Sequence, residues 1–165
     1  MTHPWTELNH ARALARMEDY RGTRHVHRRA IPGKGVDCIH LVYEAFVAAG
    51  FVPDVKLPAY RRTDGFAREA NYLERHFMFA FHASSIAGDA QPTNGDIVIF
   101  QVKKSVNHCG IFLGDAVWHS AYGSGCWPEP LGQIETTPQA FVRLHAPGYR
   151  NDPRTDPAVH PIRTS

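Results

Sequence analysis

The sequence has 165 residues, of which 43% are hydrophobic and 21% are charged. This length is typical of one domain with one core, and the composition argues against a disordered or fibrous protein over most of the chain. The formal net charge of +2 is too small to indicate a nucleic-acid partner, so we interpret the basic cluster in residues 21–29 as a solvated loop. No apolar run approaches the roughly 20 residues that cross a bilayer, and no membrane partner is expected.

The chain contains three cysteines, which cannot all pair with one another. The first residues include Pro4, Glu7 and Asn9 and lack the apolar core of a signal peptide. We therefore expect synthesis in the cytoplasm without a signal peptide, where the thiols stay reduced.

The first segment has the pattern of a helix. Thr6 is followed by apolar residues at helical spacing, which predicts an N-capped amphipathic helix over residues 6–20 that Gly22 ends. Residues 21–35 carry proline and glycine and have no clear period, which predicts a loop.

Two further helices are predicted in the N-terminal half. Residues 37–50 are apolar on more than one face, which predicts a buried helix with Cys38 in its first turn and Gly50 as its stop. Residues 53–65 contain prolines and glycine and predict a surface loop. Residues 65–82 predict another helix, whose inner face would consist of Phe66, Leu73, Phe77 and Phe81.

The C-terminal half changes to strand patterns. Residues 97–100 are β-branched and aromatic and follow a turn signal, which predicts a short buried strand. Residues 108–113 and 116–119 are separated by a Gly-Asp turn and predict a β-hairpin. Residues 141–144 predict a strand that closes the sheet. Helices first and an antiparallel sheet second indicate an α+β fold.

The end of the chain differs in composition from the rest. After His145, prolines occur among small and charged residues, which cannot bury much apolar surface. We predict one domain over residues 1–145 and an extended or disordered tail over residues 146–165.

Cys38 has the position of a nucleophile. In the first turn of a helix, unpaired backbone N–H groups and the helix dipole favour the thiolate, and the same groups can hold a developing oxyanion. Such a nucleophile needs a base brought near by folding and a third group that orients the base. His108 opens one strand of the hairpin and His119 ends the other. If Leu113 faces Ala116 across the turn, His119 lies diagonally opposite His108, within side-chain reach.

Other interpretations of these residues remain open. A cysteine in an apolar helix is more often a buried hydrophobe than a nucleophile, and we interpret Cys109 and Cys126 as structural. Zinc binding is the natural rival because the chain has eleven histidines. The spacing argues against zinc, since Cys-x-x-Cys and His-Glu-x-x-His are absent, so no metal and no cofactor is expected.

These residues resemble the NlpC-type family of cell-wall cysteine peptidases, which have a papain-like α+β fold with helices packed on an antiparallel sheet. The family pattern is Asp-Cys at a helix start, Gly-Asp before a strand, His-x-Gly-Ile-x-x-Gly, and an apolar pair before His and a small residue. Here the four motifs are, in order, Asp37-Cys38, Gly95-Asp96, residues 108–114 and residues 117–120. The resemblance spans about residues 6–144, and the glycine-rich stretch up to Cys126 is similar to the phage-tail and gene-transfer-agent branch.

The resemblance implies a cysteine endopeptidase that hydrolyses amide bonds in peptidoglycan stem peptides, typically between D-glutamate and the diamino acid. Cys38 would be the nucleophile, His108 the base and His119 the residue that orients the base. The backbone N–H of Cys38 would contribute to an oxyanion hole. Such a protein, made in the bacterial cytoplasm, would reach the wall after lysis or by a particle, with phage-tail or secretion-machine proteins as further partners.

Two positions depart from the family pattern. The family usually has Ser-Gly after the cysteine, where this chain has Ile39-His40, and often a tyrosine where this chain has His25. We expect Asp37, His25 and His40 to lie on the substrate or oxyanion side of the site, with His25 in place of the tyrosine. The departures leave open an amidase or acyltransferase acting on another substrate, or a non-catalytic structural or adaptor component of a phage tail or secretion particle.

Overall fold

The structure is a computed structural model that describes residues 4–57, 72–103 and 106–152. Its elements in chain order are α1 (Glu7–Tyr20), β1 (Ala30–Ile31), β2 (Gly35–Val36), α2 (Cys38–Ala48), α3 (Tyr72–Ala80), β3 (Phe81–Ala87), β4 (Ile97–Lys103), β5 (Val106–Leu113), β6 (Ala116–Ala121), β7 (Gly125–Pro130), a 3-10 turn (Leu131–Gln133) and β8 (Pro138–Tyr149). None of the helices in these ranges has the length and apolar content needed to cross a bilayer.

Helix α1 begins where its sequence predicts. The Thr6 hydroxyl accepts a hydrogen bond from the backbone N–H of Asn9 at 3.1 Å, and the backbone N–H of Thr6 donates to the Asn9 side chain at 2.8 Å. This reciprocal cap satisfies donors that the first helical turn leaves unpaired. Ala13, Met17 and Tyr20 lie at helical spacing and are buried, which packs α1 against α2.

Helix α2 is buried, as predicted. Gly50 follows its end with a φ of +75°, a left-handed conformation that glycine adopts without strain. Cys38 is the first residue of the helix. The buried side chains lie on more than one side of the helix and are Ile39, Leu41, Val42, Tyr43, Ala45 and Phe46.

Strands β3 to β8 form one antiparallel sheet in the order β3-β8-β4-β5-β6-β7. The predicted strand at residues 97–100 lies in β4, and the predicted hairpin is β5 and β6, with Leu113 opposite Ala116. The predicted strand at residues 141–144 lies in β8, between β3 and β4 rather than at an edge. The α+β arrangement of helices packed on a C-terminal antiparallel sheet is confirmed.

The predicted helix at residues 65–82 is wrong at its C-terminal end. Helix α3 ends at Ala80, and Phe81 begins β3, which pairs with β8. Phe77 and Phe81 are both buried, and their rings stack with centroids 6.1 Å apart. Because both aromatic side chains enter the same core, periodicity alone does not locate the boundary between helix and strand. Residues 58–71 lie outside the described residues, so the first part of this helix stays a prediction.

Three other segments have structure that the sequence patterns did not predict. The short β1–β2 hairpin begins in the loop predicted at residues 21–35 and continues to Val36. Strand β7 follows the glycine-rich turn and pairs with β6 along its length. Strand β8 continues to Tyr149, so residues 146–149 belong to the sheet. The rest of the predicted tail, from residue 153 onwards, lies outside the described residues.

Apolar side chains cover both faces of the sheet. One face packs against the helices in the main core, to which β5 contributes Cys109, Ile111 and Leu113. The other face carries a smaller cluster, which consists of Val98, Phe100, Val117 and Phe141 with neighbouring apolar side chains. The helices therefore pack on one face of the sheet, and α2 lies against β5 on that face.

Asp96 explains the Gly-Asp motif in structural terms. Its fully buried carboxylate accepts two hydrogen bonds from the Arg143 guanidinium of β8, at 2.9 and 2.8 Å, and one from the backbone N–H of Thr93 at 2.8 Å. A bidentate pair of this kind fixes both distance and orientation. The motif therefore ties the start of β4 to β8, and its contribution to the site is indirect.

Candidate active site

Asp37 holds the first turn of α2 in place. Its carboxylate is 3% exposed and accepts hydrogen bonds from the backbone N–H groups of His40 at 2.9 Å and Arg28 at 2.7 Å. The first bond caps the helix, and the second ties it to the preceding loop. These bonds direct its carboxylate to backbone N–H groups and hold the turn that carries Cys38. The expectation that Asp37 lies on the substrate or oxyanion side stays a prediction.

Cys38 has the electrostatic environment of a nucleophilic thiol. Its pKa is well below the ordinary value, mainly because the Cys109 thiol hydrogen-bonds to it and because His108 contributes both a hydrogen bond and its charge. Burial and the Asp37 charge oppose this shift. The partly buried side chain therefore favours the thiolate, the reactive form of cysteine.

Cys109 has a more specific role than the structural one we predicted. Burial raises the pKa of its thiol well above the ordinary value, and the hydrogen bond to Cys38 raises it further. Cys109 therefore keeps its proton and donates it in a hydrogen bond to the Cys38 sulfur. The sequence signal was its position beside His108, which we interpreted as part of an apolar strand.

His108 and His119 meet as the hairpin register predicted. His108 Nε2 lies 2.8 Å from His119 Nδ1, and the two rings are nearly perpendicular, with an interplanar angle of 69°. Gly110 allows this approach, because a Cβ at that position would lie 2.6 Å from the Trp118 carbonyl oxygen and 3.0 Å from the His119 Cβ. The glycine of the His-x-Gly motif is thus required by the close packing of β6.

His119 is buried and has a second partner that the sequence analysis missed. Its Nε2 lies 3.0 Å from a carboxylate oxygen of Glu129 on β7. Burial lowers the pKa of His119, and the His108 charge lowers it further, while Glu129 opposes both effects. Glu129 was missed because β7 was not predicted. In the β6–β7 register His119 lies opposite Trp127, and Glu129, two residues further along β7, is then a diagonal neighbour of His119.

His25, the residue expected in place of the family's tyrosine, lies next to the end of β6. Its Nδ1 is 3.1 Å from both the carbonyl oxygen and the hydroxyl of Ser120. The Ser120 hydroxyl donates its own proton to the Val36 carbonyl at 2.7 Å, so it accepts from His25. In the neutral ring the proton is therefore on Nδ1, and Nε2 is an acceptor.

His40 faces an open cavity of about 670 Å³ next to α2. Its Nδ1 donates to the Asp37 carboxylate at 2.9 Å, which fixes the ring over the first turn. Arg28 and Lys56 bring positive charge to the same cavity and Asp54 brings a negative charge. Over the described residues, no three His, Cys, Asp or Glu side chains are grouped to hold a metal ion.

A buried helix that begins at a cysteine, packed on an antiparallel sheet with two histidines in contact, defines a papain-like α+β domain. The chain belongs to the NlpC/P60 family, whose sequence model matches residues 20–125. That range contains Cys38, His108 and His119. No curated protein matches the chain in sequence.

Solved structures with the same fold carry the same family names. The NlpC/p60 domain of the peptidoglycan hydrolase SagA superposes with a TM-score of 0.53 at 17% identity, over 81% of this chain and 97% of that chain. A lipoprotein-like NLP/P60 protein of Staphylococcus aureus gives 0.52 at 19% identity, over 88% of this chain and 43% of that chain. The P60 domain of an antigen of M. avium paratuberculosis gives 0.50 at 16% identity, over 82% and 93%.

Proposed function

We propose that this protein is a cell-wall hydrolase, a cysteine endopeptidase that cleaves amide bonds in peptidoglycan stem peptides. The observation that carries the proposal is the thiol of Cys38, with its lowered pKa, beside a pair of hydrogen-bonded histidines. Membership of the NlpC/P60 family and similarity in fold to a domain of a peptidoglycan hydrolase support the choice of substrate.

The reaction begins with the thiolate of Cys38. The sulfur attacks the carbonyl carbon of the scissile amide, the π electrons move to the oxygen, and a tetrahedral intermediate forms. The intermediate collapses as protonated His108 gives its proton to the leaving amine, which leaves an acyl-enzyme. His108 then takes a proton from a water molecule, whose oxygen attacks the thioester; the C–S bond breaks, the acid leaves, and the Cys38 thiolate is restored beside protonated His108.

The histidine pair determines which nitrogen acts. Nε2 of His108 is hydrogen-bonded to His119, so Nδ1 is the nitrogen that exchanges the proton with Cys38 and the leaving group. His119 acts on the reaction through His108, which it holds in one ring orientation.

The developing oxyanion lies near the N-terminus of α2. The backbone N–H of Cys38 is in the first turn of that helix, where it can donate to the oxygen of the intermediate. In this proposal His25 takes the place of the family's tyrosine. Its neutral ring has no N–H left for the oxyanion, because its Nδ1 proton is donated to Ser120. Its Nε2 can donate to an oxyanion only when the ring is protonated.

The cavity beside His40 is the proposed position of one end of the substrate. Its lining combines the cations Arg28 and Lys56 with the apolar side chains of Ala30, Val55 and Leu57. Stem peptides carry free carboxylates on a mostly small, aliphatic chain, which such a lining complements. The identity of the bond, with D-glutamate to diamino acid as our expectation, is part of the proposal.

The test is incubation of purified stem-peptide fragments with the protein, followed by mass spectrometry. Cys38→Ala is the inactive variant, and Cys126→Ala, which removes a buried cysteine of β7 that is outside the hydrogen bonds of the histidine pair, is the matched control. New fragments with the wild type and Cys126→Ala, but not with Cys38→Ala, would support the peptidase and identify its bond. Equal product with all three proteins would refute it.

A second candidate is the same cysteine and histidines acting as an amidase or acyltransferase on a different amide or ester. The observation that favours it is His25, whose neutral ring presents an acceptor where the family's tyrosine has a hydroxyl donor. Failure to cleave stem peptides by a protein whose Cys38 still reacts rapidly with alkylating agents would favour this candidate. An inert Cys38 would favour a structural or adaptor role.

A further inference from the structure

Glu129 completes a chain of hydrogen bonds that begins at Cys38. The chain runs from Cys38 to His108, from His108 to His119 at 2.8 Å, and from His119 to Glu129 at 3.0 Å. Each residue comes from a different element, in order α2, β5, β6 and β7. Glu129, on the edge strand β7, is thus linked to the Cys38 sulfur by hydrogen bonds through the two imidazole rings.

The direction of the protons in this chain follows from the carboxylate. An ionised carboxylate only accepts hydrogen bonds, so His119 donates to Glu129 through Nε2–H. A neutral imidazole carries one proton, and Nδ1 of His119 is then an acceptor. It accepts from His108 Nε2–H, which leaves His108 Nδ1 for the proton of Cys38.

We propose that Glu129 is a positioning residue that selects the Nε2–H tautomer of His119 and thereby directs the basic nitrogen of His108 towards Cys38. Its role in turnover rests on the proposed hydrolase function, whereas the selection of a tautomer does not. In the opposite tautomer, His119 Nδ1 would carry a proton and would face the Nε2–H of His108, so that two donors would lie 2.8 Å apart. His108 would then have to turn or change tautomer, and the base would be lost.

A purely structural role accounts less well for this contact. The side chain of Glu129 is 44% exposed, so it contributes little to the core. Strand β7 is already joined to β6 by pairs from Ala116 with Pro130 to Ala121 with Gly125. The pKa of His119 is lowered by burial, so the contact is a hydrogen bond of the neutral ring rather than a surface ion pair.

The test compares Glu129→Ala and Glu129→Gln with Glu135→Gln, which makes the same chemical change at an exposed residue beyond the 3-10 turn. The ring nitrogens of 15N-histidine-labelled protein are recorded by NMR, with signals assigned through His108→Gln and His119→Gln. Turnover is measured as separate kcat and KM values on the peptide substrate. Thermal unfolding establishes that each variant is folded.

For Glu129→Ala we expect His119 to show both tautomers and kcat to fall roughly tenfold with KM unchanged. The loss is smaller than that of a missing acid–base group, because part of the population keeps the productive tautomer. Glu129→Gln should lie between this variant and the wild type, because its amide both accepts and donates. Glu135→Gln should match the wild type. If Glu129→Ala does not fold, the isosteric Glu129→Gln is measured instead, and a fold that tolerates neither variant would overturn the proposal in favour of a structural role.

Two results would overturn the proposal in a folded protein. One is an unchanged Nε2–H tautomer in Glu129→Ala, whatever happens to turnover. The other is mixed tautomers with kcat equal to that of Glu135→Gln. The NMR measurement needs no peptide substrate. If the wild type fails to cleave stem peptides, the hydrolase proposal is refuted, and the NMR spectra still decide whether Glu129 selects the tautomer.

Discussion

His108 and His119 lie on adjacent antiparallel strands, with Nε2 of the first 2.8 Å from Nδ1 of the second. This contact uses one nitrogen of His108 and leaves the other for Cys38. Because His119 is buried and its pKa is lowered, it accepts this hydrogen bond as a neutral ring. The base is thus oriented by a group that carries no charge of its own.

Removal of His119 should slow the chemical step without weakening substrate binding. We expect His119→Ala to lower kcat by about a hundredfold, because an unoriented base loses much of the acid–base contribution. The measurement is a steady-state kinetic comparison with His145→Ala, whose imidazole on β8 hydrogen-bonds Ser84. Equal kcat values for the two variants would contradict the orienting role.

Cys109 should determine how acidic Cys38 is. Cys109→Ala removes the hydrogen bond that does most to lower the pKa of Cys38, so that pKa should rise. Cys109→Ser keeps a donor and should restore most of the acidity. The measurement is the rate of alkylation of Cys38 against pH, read by peptide mapping, and profiles that coincide for all three proteins would refute the role.

The same labelling experiment distinguishes the three cysteines of the wild type. Burial raises the pKa of Cys126 to about 12, so its thiol stays protonated near neutral pH, as does that of Cys109. We expect alkylation near neutrality to be confined to Cys38. Equal labelling of Cys126 in the folded protein would contradict the assignment of acidity to one thiol.

The pH dependence of kcat/KM should be bell-shaped. Since the pKa of Cys38 is lowered, the thiolate forms above a lower pH than for an ordinary cysteine, and activity falls as pH drops through that pKa. On the alkaline side the coupled pair loses the proton that the leaving amine needs. The two limbs belong to the coupled pair. A rate that rises with hydroxide across the whole range would contradict the mechanism.

The Asp96–Arg143 pair should stabilise the fold rather than set the chemistry. Arg143→Met removes the charged partner of the buried Asp96 carboxylate, and such a loss typically costs about 3 kcal/mol of unfolding free energy. Urea unfolding compares it with Arg150→Met, a change at an exposed arginine. Stability equal to that control would show that the pair contributes little.

The parts of the site that follow one another along the chain were predictable. Asp37 before an apolar helix located Cys38 in the first turn, and a two-residue turn fixed the register that brings His108 to His119. Both predictions needed only local geometry, namely helix capping and strand alternation. The family comparison agrees with them in fold and in sequence range.

The parts that depend on distant pairing were not predictable. Strand β3 begins at Phe81 because β8 offers a partner more than fifty residues later in the chain, and local periodicity favoured a longer helix. Glu129 is in the site only because β7 pairs with β6. His25 was expected near the site, but its proton assignment depends on Ser120 and Val36, whose contact the sequence does not reveal.

The most direct test of the proposed mechanism is to trap the acyl-enzyme. The protein is mixed with a stem-peptide substrate, quenched in acid during turnover, and digested with trypsin, which releases Cys38 alone of the three cysteines in the peptide of residues 35–56. We predict that this peptide gains the mass of the acyl half of the substrate, and that Cys38→Ala gives neither adduct nor product. Product formed at an undiminished rate by Cys38→Ala, or an adduct on another peptide, would contradict it.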